Sequence, residues 1–133
     1  MRNQGHDARA VDQLRSALSG GGTIDITTIG RQTGEPRRIE IVFHDIEGRL
    51  YISGIPRTSR RGWLGNLEAN PRFTFHLKGA TNADLPATAR VITDEAERRV
   101  ILQTVALAWR RKDLEAMVLH SPLVEVTLDD LAA

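Results

Sequence analysis

At 133 residues the chain is long enough to bury one real core and too short for two independent ones. With 41% apolar and 26% charged residues it reads as globular, neither disordered nor membrane-embedded, and the lack of cysteine excludes disulfides, thiolate nucleophiles and thiolate metal sites. A formal net charge of +1 and 5% aromatic residues argue against an extended nucleic-acid footprint, yet only Lys78 and Lys112 among the 18 basic residues are lysines. Nearly all positive charge therefore sits on guanidinium groups, which grip phosphate and carboxylate through a planar fork.

From Asp7 to Ser19, Val11, Leu14 and Leu18 recur at helical spacing, and Gly20 to Gly22 stop the helix. The period then changes to two. Ile24, Ile26 and Thr28 mark a first strand, "GRQTGEP" a turn, and Ile39, Ile41 and Phe43 a second strand. Asp45 to Gly48 turns the chain into a third strand through Leu50 and Ile52. Trp63 and Leu67, four apart and followed by Pro71, predict a short helix over 63–70.

Two more strands follow, with Phe73, Phe75 and Leu77 on one and Leu85, Ala87, Ala89 and Val91 on the next. Asp94 with Glu97 reads as a capping pair ahead of a helical stripe formed by Val100, Ile101, Val105 and Ala108. Arg110 to Asp113 interrupt that helix, and Leu114, Met117 and Val118 restart it. Val124, Val126 and Leu128 form the last strand, and Asp129 with Asp130 reads as a solvated tail. Six antiparallel strands with an N-terminal helix, a short helix after the third strand and a longer helical excursion before the last predict a mainly β domain with helices outside a partly open barrel, the alternative being a two-layer α+β sheet. Residues 1–22 belong with the barrel of residues 23–133.

Common catalytic signatures are missing. His6, His44, His76 and His120 lack the spacing of a helical metal motif, no serine sits in a nucleophile elbow, and the triple glycine lacks the P-loop lysine and serine. No metal is expected. What stands out is a set of donors. Arg31, Gln32 and Thr33 occupy one strand connection and Arg37 and Arg38 start the next strand, while Arg57, Arg60 and Arg61 share a second loop. If the loops meet at one barrel end they form an anion-binding rim, with Gly30, Gly34, Gly54 and Gly62 letting backbone N–H groups approach a phosphate.

The stretch "DITTIGRQTGEPRRIEIVF", followed by "WLGNLEANP", resembles the deazaflavin-dependent nitroreductase family of split β-barrel oxidoreductases over roughly residues 23 to 128. The GR-x-TG turn and the W-x-x-NL-x-ANP helix occur in the family's order. The resemblance implies a split barrel that binds coenzyme F-420, a 5-deazaflavin with an anionic phosphate and oligoglutamate tail. It places Arg31, Gln32 and Thr33 at the phosphate or tail, and Arg37, Arg38, Ile41 and Val42 along the cofactor groove. Ser53, Gly54, Ile55 and Pro56 would run beside the ring system, and Trp63 with Asn66 would close the site. The implied chemistry is hydride transfer from the reduced deazaflavin to a quinone, a nitroaromatic or an activated double bond.

Family members typically carry a tyrosine after the helix tryptophan, where this chain has Leu64, and a lysine with paired glycines where it has "IPRT". Arg57 or Arg60 would replace that charge. Tyr51 is the only tyrosine, so the candidate proton donors are His120, Ser53 and water. Competing readings are an FMN-binding split-barrel reductase and a non-catalytic deazaflavin carrier. The remaining expectations are a small-molecule substrate, no nucleic acid, a homodimer, and a cytoplasmic location from the absence of a bilayer-length apolar run or a signal-peptide core.

Overall fold

The structure, a computed structural model, describes residues 8–131. Asp7, where the first helix is expected to begin, and His6 lie outside the described residues. The elements run α1 (Ala8–Leu18), β1 (Gly22–Ile29), β2 (Pro36–Ile46), β3 (Arg49–Ser53), α2 (Gly62–Ala69), β4 (Arg72–Leu77), β5 (Ala83–Val91), α3 (Glu95–Trp109), α4 (Leu114–His120) and β6 (Leu123–Leu128). All strand pairs are antiparallel and close a ring in the order β1-β2-β3-β6-β5-β4. The ring is thus closed where the pattern suggests a partly open barrel. Closure is by a short seam, Asp25 to Thr27 of β1 on Thr74 to His76 of β4, against a full-length pairing of β1 with β2 from Gly22–Phe43 to Ile29–Pro36. Even a short seam removes both exposed edges, and with them the unpaired N–H and C=O rows that invite aggregation.

Period-two alternation fills the barrel. Ile24, Ile26, Phe43, Ile52, Phe75 and Val124 belong to one interior cluster, and Phe43 meets Phe75 edge to face with ring centroids 5.3 Å apart. Burying a side chain of this size stabilises the fold by about 1.5–3 kcal/mol. Helix α1 covers one end, driving Leu14 and Leu18 into this cluster, and the chain turns into β1 at Gly21. That residue has φ +78°, and a Cβ there would stand 2.6 Å from the Phe43 carbonyl oxygen, so only glycine fits. Because β1 runs away from α1, the Gly30–Glu35 turn lies at the opposite end, where α2 adds Leu67 to the core.

Strand β3 alternates too, but both its faces are covered. Leu50 and Ile52 point into the barrel, whereas Tyr51 joins Ile92, Ile101, Leu102, Val105 and Met117 in a second core under α3 and α4. The stripe of α3 differs from the expected one: Val100 and Ala108 are exposed, and Ile101, Leu102, Val105 and Ala106 are buried. Apolar residues on both sides of the stripe leave the sequence without a unique face, and docking on β3 selects one. The Asp94 side chain accepts the Glu97 N–H at 2.9 Å, as a cap should, but the Glu97 carboxylate pairs with Arg90 instead of returning to Asp94. The helix ends with Arg110 in the left-handed region, and α4 follows as a separate helix. Asp129 is not simply solvated; it accepts a hydrogen bond from Thr88 Oγ1 at 2.9 Å.

Candidate functional site

At the α2 end the strand pattern runs out in polar groups. Thr28, the last inward residue of β1, is fully buried and sits opposite Arg37 of β2. Its Oγ1 accepts the Asn66 Nδ2–H at 3.0 Å, while Asn66 Oδ1 accepts the Arg31 backbone N–H at 3.1 Å and Arg31 Nη1–H at 3.3 Å. One buried amide therefore ties together β1, the β1–β2 turn and α2. Arg31 Nη1 also donates to the Gly62 carbonyl at 3.3 Å. Its guanidinium lies flat on α2 over Gly65, where a Cβ would come within 2.8 Å of Nη1.

These residues border a cleft of about 410 Å³. The turn contributes Arg31, Gln32 and Thr33, β2 contributes Arg37 and Ile39, and α2 contributes half-buried Trp63. No carboxylate lines it, and Arg37 makes no ion pair or hydrogen bond among the described residues. Two guanidinium groups beside an indole, with no compensating acid, suit a ligand that joins an anionic group to an aromatic ring system.

A second cleft, of about 330 Å³, lies on the other side of α2. Arg57, Arg60 and Arg61 form one wall, and the α4–β6 connection, His120 to Pro122, forms another. Arg61 precedes α2 and donates from Nη2 to the Ile55 carbonyl at 2.6 Å, lying across Gly54. Burial and, secondly, the neighbouring Arg57 charge pull its pKa below the ordinary guanidinium value. Arg60 is paired with Glu68, and Arg57 donates to Ser59 Oγ at 3.3 Å. The deeper Arg98 guanidinium is spent on carbonyls, those of Ile92 at 2.9 Å, Val118 at 2.9 Å, Met117 at 3.3 Å and Ser121 at 2.6 Å, which fixes the end of α4.

The two arginine loops thus share one end of the barrel without forming a single rim, because α2 stands between them. Alternation along β2 separates the other expected groove residues. Arg37 and Ile39 face the cleft and Ile41 packs on the barrel core, whereas Arg38 and Val42 point outward. Arg38 pairs there with Asp25 at 3.0 Å, and Asp25 also meets Lys78 at 2.8 Å. Hydrogen bonds from Lys78 first and Arg38 second hold the Asp25 carboxyl below its ordinary pKa. Ser53 is buried and its hydroxyl donates to the Pro122 carbonyl at 2.9 Å, so its proton is committed. Ile55 is exposed and Pro56 half-buried, and neither lines either cleft. His120 is exposed and lines the second cleft, whereas Tyr51 is buried beneath α3 and α4. Thr28, Gly65, Arg98 and Ser121 escape sequence reasoning. Thr28 carries a signal, an inward position ending an apolar alternation, but the others acquire meaning only from their partners.

Among the described residues no cluster of histidine, aspartate and glutamate is arranged to hold a metal ion, and no helix is long and apolar enough to cross a membrane. A model of the F420H(2)-dependent quinone reductase family matches residues 1–126. Among solved structures, a putative pyridoxamine 5'-phosphate oxidase from Listeria innocua superposes with a TM-score of 0.64 at 14% identity, over 90% of this chain and 94% of that one. An F420-H2 dependent reductase gives a TM-score of 0.57 at 19% identity over 79% and 93% of the two chains. A chain described as a domain-swapped dimer gives 0.60 at 17% identity over 90% and 94%. At such identities these structures show a common fold, the split β-barrel. The FMN alternative finds no support.

Proposed function

Since this chain belongs to the F420H(2)-dependent quinone reductase family, we propose that it binds reduced coenzyme F-420 in the cleft beside Asn66 and delivers a hydride to an electron-poor acceptor. A quinone, a nitroaromatic or an activated double bond would serve. The observation that carries the reading is the cleft itself, with Arg31, Arg37 and Trp63 on its walls and no acid among them. When bound, the coenzyme supplies the two-electron hydride donor, so the protein needs no nucleophile of its own.

The residues have separable tasks. Arg37, without a partner among the described residues, meets the anionic part of the coenzyme, and Arg31 joins it from a position fixed by Asn66 and Gly62. Gln32 adds a neutral donor, and Trp63 offers a flat apolar face to the ring system and keeps water from it. Reduction of the acceptor takes up one proton besides the hydride. Ser53 directs its hydroxyl hydrogen at the Pro122 carbonyl and His120 lines the second cleft, across α2 from the coenzyme, which leaves water as the source of that proton. The chain also works as a homodimer in this proposal, supported by the domain-swapped dimer among similar structures; sedimentation at twice the monomer mass would bear this out.

Titration with oxidised F-420, followed by tryptophan fluorescence, tests the assignment. Saturable quenching that weakens with salt is expected, and loss of one charge-assisted contact in Arg37→Ala should reduce affinity about tenfold. Absence of saturable quenching would overturn it.

A further inference from the structure

The second cleft shares no lining residue with the first. Its chemistry is nonetheless that of an anion site. Of the arginines around it, Arg60 is neutralised by Glu68, the only acid on its walls, while Arg57 and Arg61 have no carboxylate partner among the described residues. Partial burial first and the neighbouring Arg57 charge second lower the Arg61 pKa, a cost in free energy that a bound anion would offset. A solvated loop would instead let them separate.

A second observation is independent of charge. Ser121 lines the same cleft, is only 3% exposed, and its Oγ has no hydrogen-bond partner among the described residues. A buried hydroxyl without a partner is costly, and the cleft it lines is also lined by Thr93 and His120, both exposed residues. Arg98 locks the backbone on which Ser121 stands through the Ser121, Met117 and Val118 carbonyls, so the hydroxyl is held in place before any ligand arrives.

We infer that the cleft formed by Arg57, Arg61, His120 and Ser121 is a separate oxyanion site, and that it receives the carboxylate or phosphate of an acidic acceptor. That the ligand is the acceptor rests on the proposed function; the anion site itself does not. Arg57 and Arg61 neutralise the charge and the Ser121 hydroxyl donates to one oxygen, with His120 on the same wall as Ser121.

The test uses the full chain without coenzyme, titrated at low salt with inorganic phosphate and separately with benzoate, and read by amide chemical shifts. Binding should move the Arg61, Ser121 and Leu123 amides at concentrations that leave Gln32 and Thr33 unchanged, with affinity reduced about tenfold in Arg57→Ala. A Ser121→Ala variant should lose several-fold while keeping its melting temperature. Shifts confined to Gln32 and Thr33, or affinity indifferent to both substitutions, would overturn the site. Oxidised F-420 provides the distinguishing arm. If Arg57→Ala weakens F-420 binding as much as benzoate binding, the charge serves the coenzyme and the acceptor assignment fails; unchanged F-420 affinity supports it. If F-420 does not bind at all while benzoate maps to Ser121, the proposed function fails and the oxyanion site stands.

Discussion

The two ends of the barrel are closed by one helix each, in opposite ways. At the α1 end Leu14 and Leu18 are buried in the core, and the cleft beside them mixes Arg15 and Arg49 with Asp45 and Glu125, so charge is balanced locally. At the α2 end Leu67 is buried likewise, but the helix is also tied down by the Asn66 amide, and the arginines around it outnumber the acids. One end is built for stability and the other leaves donors and charge unspent. A fold whose core is complete without its polar clamp can keep functional groups in an unsatisfied state that a ligand relieves.

Substitutions can sharpen or break this contrast. The largest effect on stability is expected from Leu14→Ala, about 2–5 kcal/mol in denaturant unfolding, with F-420 affinity of the folded protein unchanged. Should coenzyme binding fall as well, the ends are coupled and the division fails. Asn66→Ala removes the shared partner of Thr28 and Arg31 and should cost about 1–3 kcal/mol together with roughly tenfold in affinity. Gly65→Ala separates the two quantities further. Alanine favours the helix by about 1 kcal/mol, while its Cβ pushes the Arg31 guanidinium off Gly62 and Asn66, so melting should barely change as affinity drops several-fold. A stability loss with unchanged affinity would contradict the role given to Arg31.

The smallest effect concerns His44, outside the barrel. It lies against Trp109 with ring centroids 5.0 Å apart, its Nε2 has no partner among the described residues, and burial lowers its pKa from 6.5. The unfolded chain then binds a proton that the folded chain refuses, so stability declines as pH falls below 6.5. His44→Gln should flatten that decline in a melting-temperature series, whereas the carboxylates lowered by partners, Asp25 and Asp84, act only further down, in the carboxylate range. An unchanged slope in the variant would mean that His44 accepts its proton without cost.

Much of the barrel is legible from period two alone, since Ile24, Ile26, Phe43, Phe73 and Phe75 all fall on the buried face that alternation assigns them. The face of α3 is not, because Val100, Ile101 and Leu102, and again Val105, Ala106 and Leu107, offer apolar residues in adjacent directions; there Val105 is buried while Leu107 is exposed. For the clefts, the GR-x-TG turn and the tryptophan-led helix locate the right end of the molecule. They do not show that α2 partitions it, that Arg38 turns outward to Asp25, or that Ser53 spends its hydroxyl on Pro122. Those outcomes depend on strand parity and on partners far away in sequence, neither of which a local motif encodes.

Mapping oxidised F-420 onto the protein by amide and indole chemical shifts tests the central claim most directly. The account predicts saturable shifts at Gln32, Thr33 and the Trp63 indole, with the Trp109 indole and the Asp45–Gly48 turn unmoved. Shifts centred on the α1 end, or none under conditions where the protein is folded, would contradict it.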